Sequence, residues 1–331
     1  MDGTVTATQG KKRFPEYDIA KGIGVILVAI GHSPGLPFGG LLWIHSFHVP
    51  LYFFISGLFV KDQDSVPFFT SLKKNIKGLL LPYFIFSFLF LLVDILFPDI
   101  YTDPRGELKF ILTGQGSYGA LWFFWVLFFE RLILDILKRL IKHKAVLFVI
   151  YAGMTSAGLI LHYCGFNSFK TASVLYASGF YFLGFLLKNN SRFLSVLSEK
   201  KTFLFPLFLA ADILGTLLLW KLTGTTLDLN SATAFDVALN YATALCGIFF
   251  VLNLSVLLKK TPVGTVFSYV GKNSLFFYPL LGGYIPFKIE SYTMSQTIGT
   301  QVFCWITAAA AAIAVSEIAN RLRKAKHEKR S

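Results

Sequence analysis

Apolar runs of about 20 residues, each closed by a short polar stretch, recur along the chain, and that is the length a helix needs to cross a hydrocarbon core. The pattern predicts ten spans, at residues 18–34, 43–60, 78–97, 118–137, 145–163, 171–187, 202–221, 235–258, 267–287 and 297–320. The ninth is the least regular, because Gly282, Gly283 and Pro286 interrupt its second half. No internal repeat is evident, and no segment outside the runs is long enough to fold alone. The expectation is an all-α fold, a polytopic membrane helical bundle of about 10 transmembrane helices. Residues 1–17 form a polar N-terminal tail, 18–320 the transmembrane domain and 321–331 a basic C-terminal tail.

Composition agrees with this pattern. Of 331 residues, 54% are hydrophobic and 15% charged, where soluble domains carry about 25% charge. The net charge of +13 has two readings, a nucleic-acid surface or cytosolic loops rich in lysine and arginine, and its distribution decides between them. Laid on the ten spans, 25 of the 31 Lys and Arg residues fall on the side that holds both termini, and only Arg105, Lys109, Lys170, Lys221 and Lys288 fall on the other. Such a bias puts both termini in the cytoplasm. Basic residues spread over six cytosolic segments do not make a nucleic-acid site, but they suit anionic lipid head groups or an anionic cofactor. The polar start, with Lys11, Lys12 and Arg13 and no short apolar core, has no mark of a cleaved leader. A multi-pass protein of the plasma (inner) membrane is expected. Cys164, Cys246 and Cys304 are scattered in apolar runs and read as packing residues.

The chemistry concentrates between Tyr17 and Phe59, where two spans carry groups that hydrocarbon rejects. On the first, Lys21 and His32 are eleven positions apart and fall within about 20° on a helix, with Asp18 within about 40° of the same line. On the second, His45, His48, Tyr52 and Ser56 share a broad stripe. Asp18 with Lys21 also suits an interfacial ion pair, and His32 a helix end. Three histidines without a carboxylate or cysteine at ligand spacing argue against a metal. A neutral imidazole acting as general base is the better use.

The stretch YDIAKGIGVILVAIGHS, followed by HSFHVPLYFFISGLF, resembles the opening of the acyltransferase 3 family of integral membrane acyltransferases. Lys21 and His32 reproduce that family's Arg or Lys, ten residues, then His, and Phe47–Gly57 resembles its FHMPLFFFISG. KGLLLPYFIFS at 77–87 is similar to RLLIPYFIF, with Gly78 at the usual Arg position. LWFFWVLFF at 121–129 and GKNSLFFY at 271–278 are similar to two later elements. Two features depart: Leu281 stands where the late element often has a histidine, and no hydrolase-like domain follows the bundle. The nearest branch resembles fucose 4-O-acetylase-like O-acetyltransferases.

The resemblance implies transfer of an acyl group, most often acetyl, from cytosolic acyl-CoA to a hydroxyl of a cell-envelope carbohydrate or glycoconjugate, with acetyl-CoA as co-substrate. His32 is then the general base, or the site of an acyl-histidine intermediate, and His48 orients it or relays a proton. Lys21 binds the donor, Asp18 orients Lys21, and Ser56 walls the donor path. Lys272, Asn273 and Ser274 suit a phosphate or simply a helix cap. Tyr83 and Trp122 are substrate-path candidates, although aromatics in such a chain are often packing. Asp94, Glu130, Asp135 and Asp228 lie near span ends, where water solvates them, while Asp212 and Asp236 lie closer to apolar runs. A transporter of a lipid-linked sugar or small polar solute, using the histidines as a proton relay, is the alternative. A catalytically dead membrane scaffold is another. Oligomeric state is not legible.

Overall fold

A computed structural model of the chain describes residues 14–32, 38–60, 66–98, 103–115, 118–188, 190, 196, 199, 201–224, 234–293 and 298–328. Most of the N-terminal tail, Asp228 and the last three residues lie outside them. The described residues form helices and their connections, with no strand. In chain order the α-helices are α1 (Pro15–Gly31), α2 (Phe38–Leu58), α3 (Phe68–Leu96), α4 (Pro104–Thr113), α5 (Trp122–Leu140), α6 (Lys144–Tyr163), α7 (Thr171–Leu187), α8 (Lys201–Thr223) and α9 (Ala234–Leu258). Three short helices follow, α10 (Pro262–Lys272), α11 (Ser274–Leu281) and α12 (Tyr284–Thr293), and α13 (Ile298–Glu328) ends the chain.

Seven of these helices are long and apolar enough to cross a membrane, α2, α3, α6, α7, α8, α9 and α13. The protein is a multi-pass membrane protein. α1 has only 17 residues and includes Asp18 and Lys21, and the last turns of α5 carry Lys138 and Arg139. The ninth expected span is not one helix but the three pieces α10, α11 and α12. Asn273 separates the first pair and the turn at Gly282–Gly283 the second, with Gly283 at φ 116, a conformation glycine adopts without steric cost. The last helix runs on through the basic segment as far as Glu328.

Local chemistry explains the boundaries. Pro15 opens α1, with Glu16 and Asp18 in its first turn, where a fixed φ and negative charge both favour a helix start. Thr261 caps α10 by accepting from the Gly264 N–H at 3.0 Å, with Pro262 next to it. α3 contains a one-turn π segment, Ile76–Leu80, a local widening often found near functional sites.

The frame is set by glycines at helix crossings. A Cβ at Gly57 would land on the Tyr181 carbonyl oxygen, and one at Gly184 on that of Phe54, so the backbones of α2 and α7 touch. Gly22 meets Phe267, and Gly271 meets Asp18, in the same way across α1 and α10. With no hydrophobic drive between helices in lipid, such close approach is a main source of packing energy. The bundle end at which α1 begins is termed inner, and the end bearing His32 outer.

Candidate active site

Three histidines converge at the outer end. His32 closes α1, and its ring centre lies 6.5 Å from that of His45, which lies 5.0 Å from that of His48. His32 and His45 are exposed, whereas His48 is buried. Two hydrogen bonds fix the neutral tautomers, because a carbonyl oxygen only accepts. His45 Nε2 donates to Gly31 O at 3.2 Å, leaving Nδ1 with its lone pair. His48 Nδ1 donates to Ile44 O at 2.8 Å, leaving Nε2 as the open base. Among the described residues no three His, Cys, Asp or Glu side chains are grouped to hold a metal ion.

The turn Gly282–Gly283 backs His32. A Cβ at Gly283 would come within 3.3 Å of His32 Cβ, and Gly282 O accepts from Ala120 N at 3.1 Å. Leu281, which stands where the late sequence element often has a histidine, is buried just before this turn.

His45 and His48 open into a cavity of about 330 Å³ whose walls include Ser46, Phe53, Trp122, His162, Tyr176 and Asn240. It is the outer cavity, with aromatic faces, hydroxyls and an amide. Trp122 is one of its walls, with Lys170 Nζ 5.6 Å from the ring centre. Phe169 and Lys170 have φ values of 54° and 57°, left-handed conformations that such residues adopt at a cost, and they turn the chain over this mouth. Tyr83 is elsewhere. It is fully buried and donates to Ile111 O at 2.9 Å, tying α3 to α4.

A second cavity, again about 330 Å³, opens among α2, α3, α5 and α7 at the inner end, and Ser56, Phe59, Asn75 and Tyr181 are among its walls together with Lys74, Arg131 and Lys138. The three cations collect there from two helices, with Asp135 as the one acid on the wall among the described residues, and Asp135 pairs with Arg139 at 3.1 Å. Asn75, one turn from Gly78, donates to Phe128 O at 3.1 Å. Gly78 itself lies in the π segment and has open space around it.

Lys21 reaches this cavity's edge, its Nζ 4.3 Å from the centre of the Phe59 ring. Asp18 is buried one turn earlier, where its backbone meets Gly271. The Lys272–Ser274 triplet is at the same bundle end but does not line the cavity. Asn273 donates to Tyr269 O at 3.0 Å within the end of α10 and accepts from Asn320 at 3.3 Å, which joins α10 to α13, and Lys272 is exposed.

The two cavities are separated by a thin partition. Phe53 lines the outer and Ser56 the inner, three residues of rise on α2, about 4.5 Å. On α7 the division falls between the neighbours Phe180 and Tyr181.

Several acids differ from the sequence reading. Asp94 is not solvated at a span end: it is buried, accepts from Tyr284 Oη at 2.8 Å and pairs with Lys288 at 2.8 Å. Glu130 is likewise fully buried. Asp212 accepts from Trp43 Nε1 at 2.6 Å and from Ser46 at 3.2 Å, which holds the outer cavity wall. Lys74, Arg131 and Lys138 were visible only as positive-inside charges, since nothing local marks them as neighbours.

No match was found among curated proteins or solved structures. A family model described as an acyltransferase domain, Acyl_transf_3, matches residues 14–315, which takes in both cavities and every helix from α1 into α13. The chain therefore belongs to the acyltransferase 3 family of membrane acyltransferases.

Proposed function

We propose that the protein moves an acetyl group from acetyl-CoA, bound at the inner cavity, to a hydroxyl of a cell-envelope carbohydrate or glycoconjugate at the outer cavity. The observation that carries this reading is the pair of cavities back to back across one helical turn, with opposite chemistry. Lys74, Arg131 and Lys138 offer phosphate partners, and Phe59 and Tyr181 offer faces for an adenine ring. The outer walls have the aromatic faces and neutral donors and acceptors that a sugar needs.

His32 removes the proton from the acceptor hydroxyl, which attacks the thioester carbonyl. The C–O bond forms, the C–S bond breaks, and the proton lost from oxygen is matched by one gained on the CoA sulfur. His45 holds the end of α1 through Gly31, and His48 presents Nε2 to the outer cavity as a second proton acceptor. Lys21, beside Phe59, acts on the donor side, with Asp18 orienting it and Ser56 walling the donor path. On this reading the protein works in the plasma membrane with its basic face in the cytosol, in contact with anionic lipids.

Purified protein in lipid vesicles, given acetyl-CoA and a panel of envelope sugars, tests the reading. Free CoA should appear in step with an O-acetylated sugar. Movement of a sugar across the bilayer with no covalent product would instead favour a transporter.

A further inference from the structure

Glu130 of α5 is 0% exposed, and no group among the described residues donates a hydrogen bond to either of its carboxylate oxygens. Tyr151 of α6 is beside it, with its hydroxyl also buried and without a hydrogen-bond partner. Tyr181 of α7 and Tyr241 of α9 are within electrostatic reach of the same carboxyl. An ionised carboxylate with no donor carries an effective penalty of several kcal/mol, which the group avoids by holding a proton. A carboxyl kept in a membrane bundle with no structural partner is a functional residue by default.

Its position suggests the function. On one side, Arg131 and Tyr181 line the inner cavity. On the other, Tyr241 donates to the backbone oxygen of Tyr176, and Tyr176 and Asn240 line the outer cavity. Thr155 and Ser178 add two hydroxyls 3.3 Å apart. Gly179 leaves them room, since a Cβ there would come within 2.8 Å of Tyr241 Oη and 2.9 Å of Thr155 Oγ1. Hydroxyls thus lie between the outer cavity and Glu130, none of them hydrogen-bonded to its carboxyl in this conformation, and Tyr181, near the same carboxyl, is on the wall of the inner cavity.

We propose that Glu130 is a proton-relay residue in the partition, passing one proton inward for each acyl group transferred. This rests on the transfer reading above, in which the acceptor loses its proton to a histidine at the outer cavity, and CoA leaves as a thiolate that gains its proton once it has drawn back into the inner one. Glu130 gives its proton to the thiolate drawn back into the inner cavity and is reprotonated from the acceptor side through the hydroxyls, once they turn towards it. It ends each cycle unchanged, and no oxidant or further reactant is needed.

The test uses the full-length protein in lipid vesicles, with Glu130→Gln and Glu130→Asp. Glutamine keeps the shape and neutrality of the protonated acid but carries no transferable proton. The infrared spectrum of the wild type should contain the carbonyl band of a protonated carboxylic acid that is missing from Glu130→Gln. The kcat for acetyl transfer to an accepted sugar should fall about 100-fold in Glu130→Gln, with the KM for acetyl-CoA unchanged, and Glu130→Asp should restore part of it. Wild-type kcat in Glu130→Gln, or an unchanged infrared spectrum, would overturn the proposal. If the wild type acetylates no sugar, the transfer reading fails separately, and with it the relay, whereas the infrared comparison still reports whether Glu130 holds a proton.

Discussion

The Nε2–H of His45 donates to the carbonyl oxygen of Gly31 across 3.2 Å, fastening α2 to the last residue before His32. The His32 backbone N–H closes α1 on Val28 O at 3.1 Å, and the His45 bond and the glycine turn behind it set where the His32 ring points. His45 is a positioning residue, and its value lies in where it puts its neighbour.

His45→Ala should lower kcat for acetyl transfer by about 100-fold, the scale on which a misplaced reacting group slows an enzyme, and leave the KM for acetyl-CoA unchanged. His45→Gln should recover much of the loss, because its amide N–H can donate to the same carbonyl. Steady-state kinetics of the three proteins check this. An Ala variant at wild-type rate would show that the bond is incidental.

The inner cavity predicts a different kinetic signature. Lys74→Ala, Arg131→Ala and Lys138→Ala should each raise the KM for acetyl-CoA about tenfold or more, since a hydrogen bond to a charged group is worth about 1.5–3 kcal/mol. The acceptor KM should stay constant. Added salt should weaken donor binding in the wild type and less so in the variants. A KM that is insensitive to all three changes would place the donor elsewhere.

Crossing glycines predict a loss of stability. Gly57→Ala puts a methyl on the Tyr181 carbonyl oxygen, and α2 and α7 must move apart. Overpacking of this kind costs about 1–3 kcal/mol, to be read as a lower midpoint in thermal unfolding. Gly78→Ala, at a position with open space, is the control that should leave the midpoint nearly unchanged.

Asp94 and Lys288 form a buried pair at the outer end. Asp94→Asn removes the carboxylate from a buried lysine and should destabilise the protein by about 3–5 kcal/mol, whereas Asp94→Asn with Lys288→Met should lose much less. Equal losses in the single and double variants would mean that the pair is not the source of the effect.

How much of this was legible in the sequence follows from the range of each signal. The long helices were readable because hydropathy acts over one continuous run, and α6, α7 and α9 begin and end close to the expected residues. The ninth span was read as one helix because its residues are apolar enough. Asn273, Gly282 and Gly283 break it, and the turn at Gly283 makes room for His32, a long-range reason that no local pattern contains. His32, Lys21 and Ser56 stood out as polar groups in apolar surroundings. The cluster of Lys74, Arg131 and Lys138 was hidden among charges that the membrane rule already explains. Glu130 was misread for a related reason. Near the polar end of α5 a glutamate looks solvated, and only the packing of α6, α7 and α9 around it shows otherwise.

The most direct test of the central claim is acceptor-dependent release of CoA from acetyl-CoA by the wild type and by His32→Ala, measured on folded protein in lipid vesicles. The account predicts that the wild type forms free CoA and O-acetylated sugar in equal amounts, and that His32→Ala forms neither while keeping the wild-type unfolding midpoint. Full transfer by His32→Ala would contradict it.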